Sequence, residues 1–456
     1  MKILQELFKP VDMTTGTPWR KILAFMIPML IGNIAQQMYN AADSVVVGKY
    51  LGDNALAAVG NAGPIINLLI VLFVGIGMGA SIVVSQYLGK KEREALSLAI
   101  GNCIILTAIA TGIAMLLAVL FTRPLLVVLN TPESIRKWCE DYLLIMLVGS
   151  VGLSYYNILS GVLRGLGDSM AALVYLLVAC GLNIGLDILF VAKFNMGVNG
   201  AAWATILAQG ISAVLCFRKL LHMKSFFELK KEHIRWNKKY VREIMEMGVP
   251  SGLTQVIMSM SMLAVQSLTN SFGETIIAAN VIVIRVDGFA TMPAISFGTA
   301  MTTYAGQNVG AGFHKRVKDG AVQGSVLAAE ISVVITVLLL LFGRSFMSIF
   351  TNTSELVEIS YRFMCILAVG YIVFSVIQVF CGVMRGAGNP MATMWVSVAA
   401  TFLIRLPLAY IMVWLTKTSQ NPMGSPECLY VSQLLAWLFG LGMTFVLYKK
   451  SGRWKI

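Results

Sequence analysis

The chain has 456 residues, of which 57% are hydrophobic and only 12% charged, and it carries a formal net charge of +13. A soluble domain is about 25% charged, so half that share, with a mean hydropathy of +0.77, leaves too little polar surface to face water. These values exclude an ordinary water-soluble enzyme and a disordered chain, and they point to a polytopic membrane protein.

A membrane-spanning helix needs about 20 predominantly apolar residues. Twelve such segments are predicted, at 20–47, 55–87, 93–121, 135–163, 168–192, 198–221, 240–270, 276–303, 317–343, 358–384, 391–416 and 429–448. Glu6, Pro10 and Asp12 interrupt the start of the chain before any apolar run forms, so no cleaved leader is expected and the N-terminus is retained. The cysteines number seven, are scattered and form no CxxC pair, which gives neither a disulfide nor a zinc framework. The three histidines, His222, His233 and His314, all fall in polar connections. No cofactor is called for.

The basic residues report topology. With the twelve segments as drawn, 25 of the 35 lysines and arginines fall on one side, including nine between Arg218 and Arg242, while 8 fall on the other and Arg285 and Arg405 lie within segments. The positive-inside rule places the heavy side in the cytoplasm, so both termini are expected there, in the plasma membrane. This distribution argues against a nucleic-acid partner; membrane lipid is the expected surroundings, and a monomer the expected state.

An internal duplication runs at an offset of about 221 residues. GVLRGLGD at 161–168 matches GVMRGAGN at 382–389 in five of eight positions, Leu51-Gly52-Asp53 meets Phe272-Gly273-Glu274, Gln86 meets Gln307, and Pro28 meets Pro250. Six segments per half, an even number, give the two halves the same orientation. The predicted fold is therefore an all-α integral membrane protein with twelve transmembrane helices in two pseudo-symmetric six-helix bundles. Its parts are an N-terminus at 1–19, a first lobe at 20–221, a cytoplasmic linker at 222–239, a second lobe at 240–448 and a C-terminus at 449–456. Two parallel lobes suit rocking-type alternating access. Pro28 and Pro250, each inside the first segment of its lobe, are candidate helix hinges, because proline removes a backbone hydrogen bond.

Intramembrane acids are expensive and so mark function. Asp43 shares a stripe with Asn33, Gln36 and Asn40, all within about 80° of one another at about 100° per residue. Asp187 lies four residues after Asn183, on one helical face, and Thr205 and Asn157 add oxygens from neighbouring segments. Two carboxylates, an amide carbonyl and a hydroxyl suit Na⁺; two neighbouring carboxyls suit a proton equally well. Asp43, Asn183, Asp187 and Thr205 are the candidate cation site, with Na⁺ as the possible metal ion, and Gln36, Asn40, Asn157, Gln209 and Gln255 are candidate cavity or substrate residues. The repeat offers a control: at the 221 offset Asp43 becomes Ala264, Asn183 Ile404 and Asp187 Leu408, so the second lobe lacks the constellation. Its charges are Arg285, Asp287, Glu330 and Arg405, of which Glu330 and Arg405 are the candidates for an interhelical ion pair. Most of the tyrosines and tryptophans are assigned to interfacial belts.

These residues resemble the multidrug and toxic compound extrusion (MATE) family over essentially the whole chain. The resemblance rests on IPMLIGNIAQQMYNAADSVVVG at 27–48, SGVLRGLGD at 160–168, LNIGLDILF at 182–190 and MPAISFGTAMTTYAGQNVGAG at 292–312. It implies the MATE/MOP-type fold and an antiporter, not an enzyme, that exports amphipathic organic cation drugs against inward Na⁺ or H⁺. It further implies a first-lobe cation site at Asp43, Asn183, Asp187 and Thr205. The interiors of segments seven and ten lack the acids found in another branch, which makes this chain look like the bacterial DinF-like branch. A lipid-linked oligosaccharide or lipid flippase of the same superfamily is the alternative, favoured by arginines in a cleft.

Overall fold

The computed structural model describes residues 10–128, 131–419 and 422–450. The expectations for 1–9 and 451–456, which include four of the terminal basic residues, lie outside the described residues. Among the described residues ten helices are long and apolar enough to cross a membrane, and two bent pairs bring the number to twelve if each is one span.

In chain order the first repeat comprises α1 (Pro18–Leu51), α2 (Asp53–Lys90), α3 (Arg93–Val128), the bent pair α4 (Glu133–Val148) and α5 (Ser150–Gly165), α6 (Ser169–Asp187) and α7 (Gly197–His222). A π-helical stretch, Ile188–Lys193, continues α6. The second repeat comprises α8 (Lys238–Asn270), α9 (Glu274–Gly310), α10 (His314–Ser348), the bent pair α11 (Ser354–Ala368) and α12 (Gly370–Gly386), α13 (Pro390–Val398), α14 (Leu406–Leu415) and α15 (Cys428–Lys450). A second π-helical stretch, Ala399–Arg405, joins α13 to α14. Each predicted segment overlaps one of these spans, so the chain is a multi-pass membrane protein.

Two compact units divide the chain: one holds Met1–Asp12 and Ile31–Gly252, the other Met13–Leu30 and Leu253–Ile456. The stretch 222–239, read from sequence as a connection between lobes, belongs to the first unit, as does α8 up to Gly252. The start of α1 belongs to the second. α1 and α8 run unbroken through Pro28 and Pro250.

Each unit is built on the same close helix crossing. In the first, Gly77 of α2 lies against Gly161 and the Asn157 backbone, and Gly165 against Ser81, so near that an added Cβ would strike backbone. In the second, Gly382 lies against Gly298 of α9 and Gly386 against Thr302 in the same way. Small residues four apart let membrane helices approach closely where no hydrophobic force draws them together. The remainder of the repeated block is also structural. Gly167 and Gly388 take left-handed φ of 87° and 86°. Asp168 then caps α6 by accepting from the Ala171 amide at 2.9 Å, and Asn389 caps α13 by accepting from Ala392 at 3.2 Å.

The bends also repeat. α4 and α5 meet at 48° and α11 and α12 at 46°, at Val148-Gly149 and at Val369-Gly370. Gly149 admits Ile206 and Gly370 the Trp437 ring, where any side chain would clash. Outward faces are apolar: Leu116, Leu117 and Leu120 of α3 and Val337, Leu341 and Phe342 of α10 are exposed, as lipid-facing positions are.

The AGQNVGAG block at 305–312 holds the chain's N-terminal strap within the second unit. Gln307 Oε1 accepts from the Met13 amide at 3.0 Å, and Asn308 Nδ2 donates to the Met13 carbonyl at 3.0 Å. Arg316 donates to the carbonyls of Met13, Thr15 and Gly16 at 3.2, 2.8 and 2.6 Å. Met13 is fully buried.

Candidate functional site

The first unit carries a buried polar cluster where α1, α6 and α7 meet. α6 places Asn183 and Asp187 one turn apart on its inner face, and both are fully buried. α7 supplies Thr205, 9% exposed. α1 supplies Asp43, half-buried, whose carboxyl lies in hydrogen-bonding contact with that of Asp187. The structure thus brings all four predicted cation-site residues together from three helices.

The hydrogen bonds around this cluster form a directed chain. Tyr39 Oη donates to Thr205 Oγ1 at 3.4 Å. Thr205 in turn donates from Oγ1 to Asn183 Oδ1 at 3.2 Å, while its amide reaches the same oxygen at 3.3 Å. Asn183 Nδ2 donates to Asp187 Oδ2 at 2.9 Å. This amide orientation is assigned from the network, since the reverse one turns the oxygen toward the carboxylate. The chain ends at the carboxyl pair, where Oδ1 of Asp43 and Oδ1 of Asp187 are buried and receive no protein donor. Gln209 Oε1, on α7, is a third such acceptor.

Buried polar groups are nearly always satisfied. Two carboxyl groups can satisfy each other only if a proton or a cation lies between them, and the oxygens here are hard ligands of the kind Na⁺ prefers. Among the described residues no group of three or more His, Cys, Asp or Glu could hold a metal ion, so a transition-metal site is not the reading these donors support. The π-helical stretch begins at Ile188, directly after Asp187; such bulges cluster at functional sites.

The predicted cavity residues fare differently. Asn157 turns its Nδ2 back to the Leu153 carbonyl at 2.8 Å within its own helix. Gln36 is half-buried and Asn40 exposed. Gln255 is exposed on the part of α8 that belongs to the second unit. Two tyrosines not singled out in the sequence belong to the cluster: Tyr39, and Tyr142 of α4, which is 5% exposed and within electrostatic reach of both aspartates. The signal for Tyr39 was present in the sequence, three residues after Gln36 and four before Asp43 on the same stripe.

The second unit differs in kind. Asp287 of α9 accepts a hydrogen bond from Tyr371 Oη at 2.9 Å. Arg405, at the end of the second π-helical stretch, lies within electrostatic reach of Asp287 and Tyr430 and donates from Nη1 to Ser261 Oγ at 3.3 Å. The candidate pairing of Arg405 with Glu330 is not formed: Glu330 is exposed on α10, while Arg405, half-buried, donates to Ser261 and stands in the field of the half-buried Asp287. Tyr430 Oη donates to Asn280 Oδ1 at 2.7 Å, and Asn280 donates onward to Gln266 at 3.3 Å.

Comparison with known proteins agrees with this architecture. The MatE family model matches twice, over residues 28–189 and 250–411, one match per repeat. Among curated relatives, the chain is 30% identical to the probable multidrug resistance protein YpnP of Bacillus subtilis (strain 168), over 98% of each chain. It is 27% identical to the probable multidrug resistance protein NorM of Thermotoga maritima, covering 86% of this chain and 85% of that one. Among solved structures, a MATE protein in complex with MaL6 superposes with a TM-score of 0.90 at 22% identity, over 98% of this chain and 100% of that one. A MOP superfamily transporter from Pyrococcus furiosus gives 0.89 at 22% identity, over 98% of both chains. Twelve spans, two repeats and the doubled match make this chain a member of the MatE family, with the MATE/MOP fold.

Proposed function

We propose that the chain is a secondary active multidrug exporter in the plasma membrane, both termini cytoplasmic, which moves amphipathic organic cations outward in exchange for inward H⁺ or Na⁺. The observation that carries this reading is the contact of Asp43 with Asp187 inside an apolar unit, with an acceptor oxygen of each left without a protein donor. Such a pair binds one small cation or proton and cannot hold two uncompensated charges cheaply. Alternating access couples that ion to drug when the unit exchanges it on opposite sides of the membrane. Rocking of the two lobes about Pro28 and Pro250 is part of the proposal, as are a monomeric state and the absence of a cofactor.

The names of the relatives, probable multidrug resistance proteins, support the substrate class. The flippase reading needs arginines free to bind pyrophosphate, whereas Arg405 donates to Ser261 and stands in the field of Asp287. Ethidium export from everted vesicles, driven by Na⁺ and by H⁺ gradients imposed separately, tests the function. Export under one gradient is expected; no export under either would refute it.

A further inference from the structure

The two units place unlike charges at corresponding helix junctions. In the first, the segments numbered one, five and six bring Asp43, Asn183, Asp187 and Thr205 together. At the repeat offset these positions become Ala264, Ile404, Leu408 and, at the 224 offset that pairs Gln209 with Gln433, Leu429. The carboxylates are gone, but the junction is not apolar. Arg405 follows Ile404 directly, Ser261 lies one turn before Ala264, and Tyr430 follows Leu429. Arg405 reaches Ser261 and lies in the field of Tyr430 and Asp287. A guanidinium thus stands among the helices corresponding to those that hold the acidic pair in the first unit.

We infer that Arg405 is a built-in cation, which takes in the second unit the place that the exchangeable coupling ion takes in the first, and so keeps Asp287 from becoming a second ion site. The inference rests on the proposed coupling role of the first unit. Asp287 is half-buried within a membrane span, where an uncompensated carboxylate is disfavoured and a nearby positive charge relieves the cost. Arginine is effectively always protonated and covalently held, so it compensates permanently. Tyr371 supplies the remaining hydrogen bond to Asp287 Oδ1. The coupling stoichiometry of the transporter is then set in part by a residue that touches neither drug nor ion.

The test counts ions on purified protein, by equilibrium binding of radiolabelled Na⁺ and by proton uptake after a pH jump. Arg405→Met should bind one more equivalent than wild type, Arg405→Lys the same number as wild type, and Arg405→Met/Asp287→Asn the wild-type number again. Equal binding by Arg405→Met and wild type overturns the inference. Repeating the series in an Asp43→Asn/Asp187→Asn background separates the two readings. If that background binds as many ions as wild type, the first-unit assignment fails, while the gain on removing Arg405 still decides this one. Should Arg405→Met be poorly recovered from membranes, the double variant with Asp287→Asn decides: recovery restored to the wild-type level supports compensation, and recovery as poor as the single variant's contradicts it.

Discussion

Asp43 of α1 and Asp187 of α6 face each other carboxyl to carboxyl inside the first unit, with Asn183 donating to Asp187 Oδ2 and itself held by Thr205. Each helix alone carries an acid that the bilayer disfavours, and only their meeting makes a site. The hydrogen-bond chain from Tyr39 through Thr205 and Asn183 fixes the direction of every donor and leaves Oδ1 of each carboxyl without a protein donor.

Thr205→Val is expected to weaken ion binding without abolishing transport. The substitution removes the hydroxyl that donates to Asn183 and accepts from Tyr39, worth about 0.5–1.5 kcal/mol as a net hydrogen bond. The ion concentration for half-maximal export should rise by roughly 2- to 10-fold, with the maximal rate near wild type. An unchanged half-maximal concentration would separate Thr205 from the site.

Tyr39→Phe removes the first donor in the same chain but leaves the Thr205–Asn183 link intact. Its effect is expected to be smaller than that of Thr205→Val, and the double variant should add little to Thr205→Val alone, because contacting members of one network are not additive. A double-mutant cycle on the same export assay measures this; full additivity contradicts the directed chain.

Gly161→Leu and Gly382→Leu are expected to damage folding to a similar degree, since each glycine meets the backbone of a partner helix, at Gly77 and Gly298 respectively. Loss of the monodisperse peak in detergent checks this. By contrast, Asn389→Ala removes the cap of α13, at a cost of about 1 kcal/mol, and should lower the melting temperature while leaving the chain folded; Asp168→Ala also takes away the buried partner of Lys219 Nζ at 3.2 Å and should lower it further.

Arg316→Ala should release the N-terminal strap, because its guanidinium donates to three carbonyls between Met13 and Gly16. Limited proteolysis in membranes is expected to clip the strap sooner than in wild type. Equal clipping rates would show that Gln307 and Asn308 suffice to hold it.

Much of this was legible in the sequence because it depends on one-dimensional patterns. Apolar length gave the spans, the lysine and arginine distribution gave an expected topology, and the 221 offset gave the repeat. The four residues of the buried polar cluster were legible because acids in a span are rare and the second repeat lacks the constellation. What escaped was whatever needs two helices at once. The LRGLGD and MRGAGN blocks read as the strongest motif, yet their glycines serve close crossings and their Asp168 and Asn389 serve helix caps. Arg405 and Asp287 lie on segments eleven and eight, and no spacing rule joins them. At the bends, Gly149 and Gly370 leave the room that Ile206 and Trp437 fill from other helices.

The central claim, that the Asp43–Asp187 pair couples ion to drug, is tested most directly by gradient-driven ethidium export from everted vesicles carrying Asp43→Asn or Asp187→Asn at matched membrane levels. Both variants are predicted to lose gradient-driven export, by at least about 10-fold, equivalent to about 1.4 kcal/mol of transition-state stabilisation. Wild-type rates in both would contradict it.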